Sequence, residues 1–286
     1  MSGPFGSQQW MYASGGKFYP YELNNSLKFE DGDSSYLSRT PASASNQKTW
    51  TYSAWFKRSN LNIDGYLFSA HSSANNLFYL QVRKDSNNNV MNVVWRQGSS
   101  TTRQLTTNAQ LRDSSSYYHV VLACDTTQSS SSDRLKLYVN GSEVTSFSLD
   151  NRSTISQSSD LIINGANLHT IGRYSYSASG YYDGYLSEVN FIDGTQLTPS
   201  SFGESKEGIW IPKEYSGSYG TNGFYLPFKE TTTANGFNTV LATGNASTQS
   251  LAGVGFQPDM VWLKVRSNAV NHILYDSVRG VEKFLV

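Results

Sequence analysis

The sequence predicts an all-β protein: a two-sheet antiparallel sandwich of jelly-roll type, with a smaller C-terminal β unit. Three observations predict it. Short alternating runs recur between turn signals from Ser26 onward, roughly a dozen in about 170 residues. Aromatic residues make up 14% of the chain, which suits half-buried pleated surfaces. The only helix signal is "LTPSSFGE", where Thr198 can cap and Pro199 fits the first helical position; it is a turn or two at most.

The elements follow in order. Residues 1–25 have no periodicity and read as an arm, with Phe5, Trp10, Met11, Phe18 and Tyr19 as points that could dock on a partner or on the domain itself. The sandwich is read over 26–205. "SLKFE" runs into the turn "DGD". "TWTYSAWF" places Trp50, Tyr52, Ala54 and Phe56 on one face and Thr51, Ser53 and Trp55 on the other. "YLFSAH", "NLFYLQVRK" and "VMNVVWR" are strands, the last two joined by the loop "DSNNN". "YYHVVLACD" is almost continuously apolar, so both of its faces should be covered. "RLKLYV" alternates, with Leu135, Leu137 and Val139 inward and Arg134, Lys136 and Tyr138 outward. Asn140-Gly141 then closes a tight hairpin, because both residues tolerate positive φ. "EVTSFSL" is its return strand, and "LHTIGR" and "YLSEVNFI" complete the set. Residues 206–233, rich in Gly, Pro and aromatics, read as an extended connector. From 234 strands resume: "MVWLKV" alternates and "HILYDSV" can pair beside it. Ending at "EKFLV", this second domain reads as one that a longer protein or a neighbouring chain would complete.

Composition excludes several function classes. The 22 basic and 22 acidic residues cancel, leaving no basic field for a nucleic acid backbone. No run approaches the roughly 18 apolar residues that span a bilayer, so no membrane insertion is expected. The start "MSGPFGSQQWMYASGG" lacks a basic region and an apolar core, so it is no signal peptide. The single cysteine, Cys124, cannot form an internal disulfide, which points to synthesis in a reducing compartment.

"SSYLSRTP" (34–41), "KTWTYSAWFKR" (48–58), "YYHVVLACDTTQ" (117–128), "DRLKLYVNG" (133–141), "HTIGR" (169–173) and "DGYLSEVNFIDGTQLTPSSFGE" (183–204) occur in this order. Together they resemble the concanavalin A-like lectin/glucanase sandwich in its laminin-G-like form, more narrowly the version found in virion proteins of tailed bacteriophages. "GFQPDMVWLKVRS" and "HILYDSVRG" are similar to the module that often follows it there. The resemblance implies a virion structural protein (tail fibre, tail-associated or capsid-surface component) contributing to host attachment. It would be made in the host cytoplasm and reside in the virion, with its N-terminal arm on other virion proteins, as a homo-oligomer, a trimer being favoured. A host-recognition lectin binding surface polysaccharide is the alternative, and a polysaccharide depolymerase comes third.

The site candidates are weighed against plainer readings. A retaining glycanase needs two carboxylates about 5 Å apart; in the glucanase branch of this fold they form E-x-D-x-x-E on one strand, and that string is absent. Asp183 and Glu188, five apart, fall on opposite faces of a regular strand unless a bulge intervenes. No nucleophile elbow, H-E-x-x-H or phosphate loop occurs, so no catalytic residue and no enzyme is expected. The four histidines read as packed strand residues. For a sugar or protein contact the favoured loop is "RYSYSASGYYDG", with Tyr174, Tyr176, Tyr181 and Tyr182; Trp95 with the "DSNNN" loop is a weaker choice. Laminin-G-like domains often hold Ca²⁺ at the rim. Asp31 and Asp33 in "EDGDSS" could supply carboxylates for it, although Asp in such a turn also caps its own backbone. No other cofactor is implied.

Overall fold

A computed structural model describes residues 19–84, 89–177, 179–229, 239–243, 258–276 and 283–285. Its strands are β1 (Leu27–Phe29), β2 (Leu37–Arg39), β3 (Thr49–Arg58), β4 (Gly65–Ser73), β5 (Asn76–Arg83), β6 (Val90–Arg96), β7 (Arg103–Gln110), β8 (Tyr118–Asp125), β9 (Leu135–Val139), β10 (Ser142–Glu143), β11 (Phe147–Asp150), β12 (Leu168–Ile171), β13 (Gly184–Asp193), β14 (Gly203–Lys206), β15 (Ile209–Pro212), β16 (Phe224–Leu226), β17 (Met260–Leu263), β18 (Ile273–Asp276) and β19 (Phe284–Leu285). One helical turn, α1 (Ser131–Arg134), leads into β9. The chain divides into two compact units, Met1–Lys229 and Glu230–Val286.

The first unit is an all-β sandwich of two seven-stranded antiparallel sheets. Sheet A runs β1-β13-β3-β8-β9-β10, with β16 also on β13; sheet B runs β11-β7-β6-β5-β4-β12-β2. The alternation of β3 does what its pattern predicts. Trp50, Tyr52, Ala54 and Phe56 point into the core, where they meet Phe68, Phe78, Leu80 and Val82 of sheet B. Trp50 meets Phe78 edge-on at 5.5 Å, and Tyr52 stacks on Phe68 at 4.7 Å. These pairs join the sheets more strongly than burial alone, by about 0.5–1.5 kcal/mol each.

The nearly unbroken apolar run of β8 lies between β3 and β9, covered on both faces. Val120, Leu122 and Cys124 belong to the core. Val121 and Ala123 pack outward under Phe202, Leu197, Tyr215 and Tyr219. Burial raises the Cys124 thiol well above its ordinary pKa. Asn140 and Gly141 have φ of 48° and 81°, as a tight β9–β10 turn requires. A Cβ on Gly141 would also strike the Trp210 ring.

Three sequence expectations need correction, and one strand was not anticipated. "EVTSFSL" is not one strand: β10 pairs with β9, then the chain crosses and β11 joins β7 in sheet B. "RQLTTNAQ" forms β7, although Asn and Gln dilute its strand signal. Arg134 is buried, since its guanidinium donates to the carbonyls of Gln128, Ser129 and Ile155. The 206–233 stretch is more than a connector over its described part, because β15 pairs with β14 and β16 with β13.

Residues 1–18 and the loop residues 85–88 lie outside the described residues. Where the described chain begins, Tyr21 donates to Glu188 Oε2 at 2.8 Å, and Ser187 Oγ donates to the Asn25 carbonyl at 2.5 Å. In the second unit, β17 and β18 pair as the sequence suggests and β19 extends the sheet.

Candidate functional site

The two outer sheet faces differ. On sheet A, the chain after β13 forms a cover. Thr51 Oγ1 donates to the Thr195 carbonyl and accepts from the Leu197 amide. The β14–β15 hairpin then lays Trp210 over the face. On sheet B, the outward positions are Tyr66, Ser69 and His71 of β4, Leu77, Tyr79 and Gln81 of β5, and Asn92, Val94 and Arg96 of β6, as register and period-2 alternation dictate. Among the described residues of the sandwich, a short loop reaches over them.

That loop is the tyrosine-rich stretch after β12. A bridge between Tyr174 and Ser179 closes it. Ser175 anchors it to β4, its Oγ 2.7 Å from Ser69 Oγ and its amide donating to the same oxygen at 3.0 Å. Gly180, with φ of 62°, lies against the Tyr66 ring, where a Cβ would collide. The result is an aromatic cluster. Tyr66 lies 5.0 Å from Tyr79 and 5.1 Å from Tyr174, and Tyr174 meets Tyr79 at 5.2 Å and Tyr176 at 6.1 Å. Tyr176 is exposed and stands edge-on to His71 at 5.5 Å. Burial raises the Tyr66 and Tyr79 hydroxyls, the latter to about 12, so these two remain neutral donors at ordinary pH. Beneath them runs a buried polar row in which Thr106 Oγ1 donates to Asn92 Oδ1, while the neighbouring Gln81 Oε1 has no protein partner.

The structure sorts the predicted contact residues. Tyr174 and Tyr176 belong to the cluster. Tyr181 lies apart, 6.3 Å from Tyr36, whose ring carries the Arg173 guanidinium at 3.8 Å. Tyr182 is no surface residue: it is fully buried, donates to the Lys57 carbonyl at 2.8 Å and packs edge-on against Phe29. Trp95 is likewise inward, 1% exposed in the core, because it has the same parity in β6 as Met91 and Val93. Tyr66 and Tyr79 were missed. For Tyr79 the signal was present, since it alternates with Phe78 and Leu80.

A bulge between Ser187 and Asn190 interrupts β13 and sets Glu188 at φ 50°. Asp183 and Glu188 nonetheless serve different surroundings. Tyr21 and Tyr225 both donate to Glu188 Oε2, whereas Asp183 joins Glu30 and Asp31. Ser53 and His119 lie 2.9 Å apart, superficially a nucleophile and base. His119 Nδ1, however, accepts from Trp210 Nε1 at 3.0 Å. The proton therefore sits on Nε2, which donates to Ser53 Oγ. With Nε2 already protonated the ring does not take the serine proton, and at 1% exposure it is out of reach of a substrate; burial also pushes its pKa down to about 3.

The carboxylates of Glu30, Asp31 and Asp183 offer oxygens within 4.8 Å of one another. They meet because Phe29 pairs with Gly184 across β1 and β13. Asp33, the other predicted ligand, is outside this group and exposed. Partial burial and then the two neighbouring carboxylates raise the Asp183 pKa. Lys28 Nζ offsets part of the repulsion at 2.8 Å from Glu30 Oε2. As a donor set, three carboxylates, two after β1 and one before β13, suit a hard, oxygen-seeking cation.

Residues 31–201 match the model of the concanavalin A-like lectin/glucanases superfamily, and the chain belongs to that superfamily. Residues 232–286 match a domain of unknown function (DUF7483). No curated protein matches the chain. Among solved structures, it is similar to a heptameric SAP-like pentraxin of Limulus polyphemus, at 16% identity and TM-score 0.43, covering 62% of this chain and 80% of that one. It is similar to a putative carbohydrate binding protein of Bacteroides ovatus at 17% identity and TM-score 0.40, covering 61% and 44%. It is similar also to the enzymatically active domain of bacteriophage CBA120 tailspike protein 2, at 12% identity and TM-score 0.46, covering 64% and 27%. The chain spans less than half the length of the latter two.

Proposed function

We propose that the sandwich is a non-catalytic, lectin-like binding module that takes a host surface polysaccharide on the outer face of sheet B. The observation that carries this reading is the cluster of Tyr66, Tyr79, Tyr174 and Tyr176 on a sheet face that, among the described residues of the sandwich, one short loop crosses. Tyrosine rings supply apolar area for sugar faces at small entropic cost, and their hydroxyls bond to sugar hydroxyls. The test is a glycan array with the full chain, repeated with Tyr174→Ala and Tyr176→Ala. An anchor residue is worth about 2 kcal/mol, so each substitution should weaken binding about 30-fold. No glycan bound, or binding unchanged in both variants, would remove the reading. Release of reducing ends from the bound polysaccharide would replace it with a depolymerase.

The setting we propose is the surface of a tailed bacteriophage particle: a tail-fibre, tail-associated or capsid-surface component, present as a homo-oligomer, a trimer being favoured. The ordered motifs from "SSYLSRTP" to "DGYLSEVNFIDG" support it. The N-terminal arm would dock on other virion proteins. Protein mass spectrometry of purified particles would find the chain; its absence there, with a monomer in solution, would contradict the setting. Glu30, Asp31 and Asp183 would hold Ca²⁺ at the rim, where it would neutralise their mutual repulsion.

A further inference from the structure

A cavity of about 380 Å³ opens at one edge of the sandwich, between β2 and β12 of sheet B and β13 and β16 of sheet A. It shares no residue with the tyrosine cluster. Its volume falls within the range of small-molecule pockets, which are mostly apolar with a few placed polar groups. Phe68 and Phe191, both buried, and half-buried Phe224 wall it with rings, and Phe191 stands 5.7 Å from each of the other two. Leu37, Ile171 and Leu226 continue the apolar lining. Charge enters this wall at one place, Arg39, which is exposed and so stands at the mouth. Leu37 and Arg39 pair with Ile171 and His169 of β12, so alternation puts all four on the inner side of sheet B. The Arg39 guanidinium lies 5.7 Å over the Phe224 ring, and its Nη1 donates to the Asn222 carbonyl at 2.8 Å. Among the described residues no carboxylate is paired with it, and Nε and Nη2 are left for an occupant.

The other polar walls offer an occupant little. The Asn164 carboxamide oxygen is sealed off, without accessible surface. Asn222 Nδ2 donates to the Ser43 carbonyl, and the Thr170 hydroxyl to the Arg173 carbonyl. His169 Nε2 accepts from the Asn164 amide, and its Nδ1 lies against the Asn167 carbonyl. Burial pushes this imidazole down to about 4, so it adds no charge. Ser38 is neutral, exposed at the rim, and alternates to the outer side of the sheet with its partner Thr170. Asp193 stands behind Asn164 and Asn222, outside the lining; its oxygens already accept from the Asn46 and Asn222 amides and from Asn164 Nδ2. An occupant therefore has to bring apolar surface to the rings and one anionic group to Arg39. A cation would meet repulsion at the mouth. A pyranose would turn most of its hydroxyls toward phenyl walls. A carboxylate fits best, because one edge of a guanidinium takes it with two parallel hydrogen bonds.

We infer that this cavity binds a small apolar monocarboxylate, of the arylalkanoic or medium-chain fatty acid class, with its carboxylate on Arg39 and its apolar body among Phe68, Phe191 and Phe224. The inference is independent of the polysaccharide reading. The experiment titrates the full chain at pH 7 with 4-phenylbutyrate, and with 4-phenylbutyramide, which has the same shape without the charge, by calorimetry and ligand-observed NMR. The acid should bind about five- to tenfold tighter than the amide, the worth of a charge-assisted pair at a solvent-facing mouth. That gap should narrow as NaCl is raised. Arg39→Gln changes an exposed side chain and should bring the two probes to equal affinity. Leu226→Trp, which fills the cavity from its half-buried wall, should abolish binding of both; if it does not fold, Arg39→Gln keeps the test decisive. No binding of the acid, equal affinity for the two probes in the parent chain, a preference that survives Arg39→Gln, or binding undisturbed by Leu226→Trp would each overturn the inference.

Discussion

At the residue scale, His119 shows how context sets the role of a side chain. The imidazole is stacked on Trp55 at 4.7 Å and held between Ser53 and Trp210. Its folded pKa is depressed to about 3, and that of His169 to about 4, burial being the main cause in both. The unfolded chain thus takes up these protons first. Their contribution is present above about pH 6.5 and is lost as pH falls toward the folded values. Urea denaturation should show stability falling between about pH 6 and 4 by about 1.4 kcal/mol per pH unit for each histidine. His119→Asn should flatten that slope by one such increment; an unchanged slope would mean that His119 is not held neutral. Trp210→Phe removes the indole donor and should cost about 1–3 kcal/mol, with the His119 pKa measured by NMR as the second readout. Much at this scale was legible: the inward set of β3, the Asn140-Gly141 turn and the burial of Cys124 follow from period and φ. Trp95 was misjudged because an aromatic next to a loop looks like a contact, although its parity with Met91 and Val93 already placed it inside.

At the element scale, pairings decide what sequence spacing leaves open. Glu30 and Asp183 are far apart in the chain and meet only through the β1–β13 register, so a carboxylate group sought within "EDGDSS" could not include Asp183. Asp183→Asn relieves repulsion in this group. It should raise the melting temperature in chelator and remove any increase that CaCl₂ gives the parent chain; an equal Ca²⁺-dependent increase in both proteins would show that the cation sits elsewhere. The tyrosine loop depends in the same way on Gly180. Gly180→Ala forces a Cβ into the Tyr66 ring at positive φ and should cost more than about 1 kcal/mol, with glycan binding reduced by the displaced loop. The crossing of β10 to β11 between sheets, and the membership of β16 in sheet A, left no local mark, because pairing partners distant in sequence carry no spacing signal.

At the scale of the whole molecule, the sandwich extends beyond the last motif of its family. Residues 206–229 cover the outer face of sheet A and add an edge strand to β13. A chain ending at Lys229 should therefore unfold cooperatively by circular dichroism, whereas one ending at Ser205 should expose Val121, Ala123 and Ile192 and aggregate or melt far lower. Equal stability of the two would show that the covering segment is dispensable. Among the described residues of the sandwich, the outer face of sheet A is covered by its own chain and that of sheet B is crossed by the tyrosine loop, so the proposed glycan surface is sought on sheet B. The most direct test is amide and side-chain NMR mapping of the full chain titrated with host surface polysaccharide. Shifts centred on Tyr66, Tyr79, Tyr174 and Tyr176 are predicted; shifts confined to sheet A or to the second unit, or none at saturating polysaccharide, would contradict the account.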